Sequence, residues 1–156
     1  MAAKATLSEK VFDELDILHA EAKSALGRKD LEGAARISDD AWARLPEPKF
    51  AWDHSYICLH RLVECKRPTG KGLDEMVSLL QAYIASEYHS ADNFGTRFLL
   101  GTLQFDLGKL DQAFEAFQAA GKLSGGYCIN GQDPLYRKFY KERKDALKKA
   151  ARSKPS

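Results

Sequence analysis

The sequence predicts an all-α fold, a stack of three helical hairpins plus a C-terminal capping helix. Apolar residues recur at steps of three and four along most of the chain, and glycine or proline interrupts them at intervals of one helix length. No stretch sustains the period-two alternation of a half-buried strand. With 156 residues, 44% of them hydrophobic, there is material for one core and hardly for two. A single domain over residues 1–151 is therefore expected, with 152–156 as a disordered basic tail.

Leu7, Val11, Leu15, Leu18, Ala22 and Leu26 share one face of a first helix, with Thr6 and Glu9 spaced as a capping box and Gly27 as the stop. Asp30 caps a second helix through Leu31, Ala34, Ala35, Ile37, Ala41, Trp42 and Leu45, until Pro46 and Pro48 forbid continuation. So short a connection folds the two helices back on each other. Pro48 suits the first turn of a third helix carrying Trp52, Tyr56, Leu59, Leu62 and Val63, which stops before Pro68. Past a loop around Gly70, a fourth helix follows through Leu73, Met76, Val77, Leu80, Tyr83 and Ile84, ending near Tyr88-His89. Ser90 is the expected cap of a fifth, whose Phe94, Phe98, Leu99, Leu100, Leu103, Phe105 and Leu107 surround most of its circumference and place it centrally. Gly108 separates it from a sixth helix running from Leu110 to Leu123, which Gly125-Gly126 stops. A compact loop then leads to Asp133-Pro134, a cap followed by proline at the first helical position, and to a seventh helix through Leu135, Phe139 and Leu147.

Charge narrows the function classes. Lys and Arg number 24 against 22 Asp and Glu, a net +2 that excludes a globally basic nucleic-acid binder. The distribution is uneven: residues 134–156 hold nine Lys and Arg against Glu142 and Asp145, which leaves the remainder at −5. A basic last helix suits a solvated terminal cap, an acidic partner or a nucleic acid. The acidic body argues against the last, so nucleic acid is not expected as a partner. No apolar run approaches the roughly 20 residues needed to cross a bilayer, and Met1 to Thr6 lacks the apolar stretch of a signal peptide. A cytoplasmic location and no membrane partner are expected. Cys58, Cys65 and Cys128 are odd in number and widely spaced, which predicts reduced thiols.

Nothing in the chain makes a positive case for an enzyme. His54, Cys58 and Cys65 share one helical face, but Cys65 lies about 16 Å from His54 along the axis, too far to share an ion. Cys128 has no basic partner in its sequence neighbourhood to generate a thiolate. Pro68-Thr69-Gly70-Lys71-Gly72 lacks both the spacing of a phosphate loop and a preceding strand, and no pair stands out among the helical carboxylates. No catalytic residue, metal site or cofactor is expected.

Leu100-Gly101, Gly108, Ala113, Phe117 and Ala120 have the mutual offsets of small and large packing residues in a tetratricopeptide hairpin, and this part of the chain resembles that family. Gly101 and Ala113 would let two helices touch, Gly108 would turn the chain, and Phe117 with Ala120 would dock on a neighbour. The pattern departs at Arg97, Gln104 and Gly125, where the repeat has a large aromatic, a tyrosine and a proline. In the first hairpin Ala22, Ala34, Ala41 and Pro46 fall on the pattern with Ser38 at its Phe position; the middle hairpin matches through Met76, Leu80 and Tyr83. Ala34, Met76 and Ala113 are 42 and 37 residues apart, against about 34 in the consensus, so the repeats are irregular and an irregular helical bundle stays open as the alternative.

The segment Gly125-Gly126-Tyr127-Cys128-Ile129-Asn130-Gly131-Gln132-Asp133-Pro134-Leu135-Tyr136-Arg137-Lys138-Phe139-Tyr140 resembles a sequence that closes small bacterial tetratricopeptide-like proteins, several of which look like immunity proteins of secreted toxins. The resemblance covers about residues 101–140. It implies a non-enzymatic scaffold that binds one folded protein, a toxin domain, and it carries no catalytic residue. The repeat register places Asp16, His19 and Lys23 of the first helix on a concave wall, with Phe98, Thr102, Phe105 and Asp106 of the fifth. Asp53, Tyr56 and His60 of the third share a face by spacing. The alternative is a tetratricopeptide-type chaperone or adaptor recognising a peptide segment, which would need Asn and Lys clamps at positions that are mixed here.

Overall fold

Helices form wherever the apolar period and a cap agree. The computed structural model describes residues 1–131 and 133–154, and among them every named element is helical. The helices are α1 (Glu9–Gly27), α2 (Leu31–Arg44), α3 (Ser55–Lys66), α4 (Leu73–Ala85), α5 (Phe94–Asp106), α6 (Leu110–Leu123), α7 (Tyr127–Asn130) and α8 (Pro134–Ser153). The chain gathers into two compact units, Met1–Ser90 and Ala91–Ser156.

In the first unit α1 and α2 form an antiparallel hairpin and α3 packs along α2. Leu7, Leu15, Ala41, Leu45 and Cys58 make one buried cluster, and Ala22, Ala25, Ala34 and Cys65 another. The second is built almost wholly of alanine, so the helices approach closely there. Asp30 caps α2 as expected, its carboxylate accepting from the Gly33 amide at 2.9 Å.

Four boundaries differ from the sequence expectation. The cap of α1 is Ser8, whose hydroxyl accepts from the Val11 amide, and not Thr6. Upstream residues are extended instead: the Ala5 amide donates to the Ala51 carbonyl (2.8 Å), the Asp53 amide to the Ala5 carbonyl (2.9 Å) and the Ala2 amide to the Glu87 carbonyl (2.7 Å). Pro48 opens only a 3-10 turn, Lys49–Ala51, and α3 starts at Ser55. Here the Ser55 hydroxyl donates to the Lys49 carbonyl (2.6 Å) and accepts from the Trp52 amide (3.1 Å), which fixes the corner. The fourth helix stops at Ala85 rather than near Tyr88-His89, because the Ser86 amide and hydroxyl both donate to the Tyr83 carbonyl. The fifth is capped by Asn93, accepting from the Thr96 amide, and not by Ser90.

The second unit is a tight α5–α6 hairpin closed by α7 and α8. Gly108 makes the turn with φ +73°, a conformation a side chain would strain. At Gly101 an added Cβ would lie 2.7 Å from the Phe117 ring, so the helices pack at glycine contact distance. The segment expected as a loop contains the short helix α7, which carries Cys128 and Ile129 into the core beside Ala120 and Tyr136. Asp133 caps α8 by accepting from the Leu135 amide, with Pro134 at the first helical position. Tyr136 then inserts among Phe98, Phe105 and Phe117 at centroid distances of 6.1, 5.6 and 5.6 Å, and Phe139 adds to the same aromatic layer. Of the tail expected to be disordered, Arg152 and Ser153 are helical and Lys154 is the C-cap, while residues 155 and 156 lie outside the described residues, as does Gln132.

Candidate functional site

On α1, Phe12, Asp16, His19 and Lys23 follow one another at steps of four, three and four, so they line one side of the helix, next to the buried Leu15–Ala22 stripe. The matching side of α3 carries His54, Ile57, Cys58 and Arg61. The two sides meet. The Phe12 ring stands edge-on to His54 at 4.8 Å, and His19 Nε2 lies 3.5 Å from Cys58 Sγ. Asp53 accepts from or shares a proton with His54 Nδ1 at 2.8 Å, and Arg61 donates to Glu64 at 2.6 Å. Phe12 and Ile57, 41% and 46% exposed, stand as apolar groups in solvent among these charges.

Burial and hydrogen bonding set the protonation states on this face. Burial pushes the Cys58 thiol up to about 11, so it is a neutral thiol at physiological pH. Burial also lowers His19, with the Arg61 cation adding to that effect and Asp16 opposing it, so imidazole and thiol face each other uncharged. The hydrogen bond from His54 holds the exposed Asp53 carboxyl below its ordinary range and keeps it anionic.

The ten residues expected at a partner site fall into three groups. Asp16, His19 and Asp53 come together in the α1–α3 face just described, with Lys23 exposed one turn further along α1. Tyr56 and His60 point to another side of α3, where their rings lie 4.0 Å apart and Tyr56 neighbours Tyr83 of α4. Burial drives His60 down to about 4 and raises Tyr56. In the second unit Phe98 and Phe105 pack under α8, Thr102 is buried with its hydroxyl donating to the Leu99 carbonyl (2.7 Å), and Asp106 is exposed. Sequence reasoning missed Phe12, Ile57 and Arg61. The signal was present, since Phe12 and Ile57 are large apolar residues off the buried stripes of their helices.

Among the described residues no His, Cys, Asp and Glu cluster in a group of three that would suit a metal ion, the three cysteines are buried and unbridged, and no helix is long and apolar enough to cross a membrane.

No family model matches the chain, and no curated protein matches it by sequence. Its fold is similar to the crystal structure of the Sgt2 TPR domain from Aspergillus fumigatus, with a TM-score of 0.62 over 100% of this chain and 91% of that one, at 16% identity. The fold is thus of the tetratricopeptide helical-repeat class, as the offsets around Gly101 imply.

Proposed function

We propose that the chain is a non-enzymatic scaffold that binds one folded protein through the α1–α3 face, and specifically that it is an immunity protein neutralising a cognate bacterial toxin domain. The observation that carries the scaffold reading is the pair of solvent-exposed apolar anchors, Phe12 on α1 and Ile57 on α3, flanked by Asp16 of α1 and by Asp53 just before α3, on helices that share a buried alanine cluster. Apolar anchors within a ring of charge are the anatomy of protein-recognition surfaces, and carboxylates at the rim steer a basic partner. The acidic balance of residues 1–133 supports the same sign of partner. The immunity reading rests on the segment from Gly125 to Tyr140. The adaptor reading, in which the partner is a peptide segment, is equally compatible with the fold shared with the Sgt2 TPR domain.

Co-expression with any toxin domain encoded by a neighbouring gene, scored by growth rescue, tests the specific reading. Surface-plasmon kinetics test the face: Asp16→Lys and Asp53→Lys are expected mainly to slow association, and Phe12→Ala and Ile57→Ala to speed dissociation. Binding by all four variants at wild-type rates would remove the α1–α3 face from consideration. Rescue that fails while a peptide segment binds this face would replace the immunity reading with the adaptor one.

A further inference from the structure

The second unit contains a cavity of about 520 Å³ between the end of α6, the α7 turn and the first half of α8. Its rim is basic: Arg137, Lys141 and Lys144 come at steps of four and three along one side of α8, and Lys122 faces them from the last turn of α6. Its floor is formed by Ile129 and by Tyr140, whose ring stacks on Phe114 at 5.4 Å and has the Lys144 ammonium 5.8 Å from its centroid. Gly121 lines the floor beside them, within van der Waals reach of Ile129 and the Tyr140 hydroxyl. No carboxylate lines the cavity among the described residues. The neighbouring cations on the same turns are paired, Arg143 with Asp111 and Lys138 with Glu142, whereas Lys122, Arg137 and Lys141 have no carboxylate within ion-pair distance among the described residues. Like charges gathered without counter-charge repel one another, and a bound anion relieves that repulsion.

We infer that this cavity binds a phosphorylated small organic molecule of nucleotide size, with its phosphates on the Lys122–Arg137–Lys141–Lys144 rim and its organic part on the Ile129–Tyr140 floor. The volume falls within the range of about 300–1,000 Å³ typical of small-ligand sites. Three of the four rim cations are lysines, and their several converging point charges suit a multiply charged phosphate. An apolar floor beneath them calls for more than an inorganic ion. Burial, with Cys128 nearby, holds the Tyr140 hydroxyl above its ordinary value, so it stays a hydrogen-bond donor. The inference is independent of what the α1–α3 face binds.

Calorimetric titration of the full chain with ADP, with inorganic pyrophosphate and with a hexaglutamate peptide tests it at low and physiological salt. Saturable one-site binding of ADP is expected, tighter than that of pyrophosphate and weakened by salt. Lys122→Glu combined with Lys141→Glu should weaken ADP binding by about tenfold or more, while Lys148→Glu combined with Lys149→Glu, the same charge change further along α8, should alter it by less than about twofold. Thermal unfolding without ligand checks that both variants fold. Absence of ADP binding, equal losses in the two double variants, equal affinity for pyrophosphate, or tighter binding of hexaglutamate would each overturn the assignment.

Discussion

Gly101 and Tyr136 show what a single residue decides in the second unit. A Cβ at position 101 would press into the Phe117 ring at 2.7 Å and approach the Ala113 carbonyl at 3.3 Å, so Gly101→Ala forces the α5–α6 pair apart. Overpacking of this kind costs typically about 1–3 kcal/mol, and Gly101→Leu more; urea unfolding should show a lowered midpoint with an unchanged slope. Tyr136→Ala empties a site walled by three phenylalanines and should cost about 3–5 kcal/mol in the same measurement. His60 acts through protons. Its folded value near 4 lies below the 6.5 of an unfolded histidine, so between those values the unfolded chain binds the extra proton and stability falls as pH drops. The contribution is fully present above about pH 6.5 and is lost toward pH 4. His60→Gln should flatten the decline of the unfolding temperature between pH 7 and 5, and an unaltered slope would show that another group is responsible.

At the scale of elements, the ends matter more than the middles. The Lys49 ammonium donates to the Trp42 and Ala43 carbonyls at 2.9 and 3.3 Å and also to the Leu45 carbonyl, so one cation satisfies the orphan acceptors at the end of α2 and opposes its dipole. Lys49→Met keeps most of the stem and removes the donor; a loss of roughly 1–2 kcal/mol is expected, with faster amide exchange over the last turn of α2. Helix α8 is the counterpart in the second unit. A chain ending at Gly131 would bare Phe98, Phe105 and Phe117 together, and it is expected to bind hydrophobic dye and aggregate, as an uncapped repeat does. Full solubility of that truncation would show that α8 does not serve as a cap.

For the molecule as a whole, charge is the property that extends furthest. Residues 134–156 are strongly basic against an acidic remainder, so association of a basic protein with the first unit should slow as salt rises from 50 to 300 mM, on a Debye length that shrinks from roughly 14 to 6 Å. ADP binding at the basic cavity should weaken over the same range. The sequence reading of one domain over 1–151 is tested by calorimetry: one unfolding transition is the expected outcome, and two separated transitions would divide the chain at Ser90.

Seven of the eight α-helices were legible in the sequence because apolar period, glycine stops and Asp30 or Asp133 caps are local properties, each read within a few residues; the four-residue α7 is too short to show a period. The fit of Gly101 against Phe117 was legible too, since a repeat pattern records contact geometry in residue size. Helix starts were not. Thr6 and Ser8 are both competent caps, and the choice between them was made by carbonyls at positions 51 and 87, far along the chain. The same holds for the candidate site. Asp16 and His19 could be placed on one face of their helix from spacing, but their meeting with Asp53 and His54 depends on how α3 is rotated about its own axis. That rotation is set by burying Cys58, Leu59, Leu62 and Val63 together. It turned Tyr56 and His60 toward Tyr83 and left Phe12 and Ile57 in solvent. Local spacing determines which residues of a helix share a face, whereas which face meets a neighbour is decided by the packing of the whole core, whose contacts join residues too distant in sequence for any local pattern to encode.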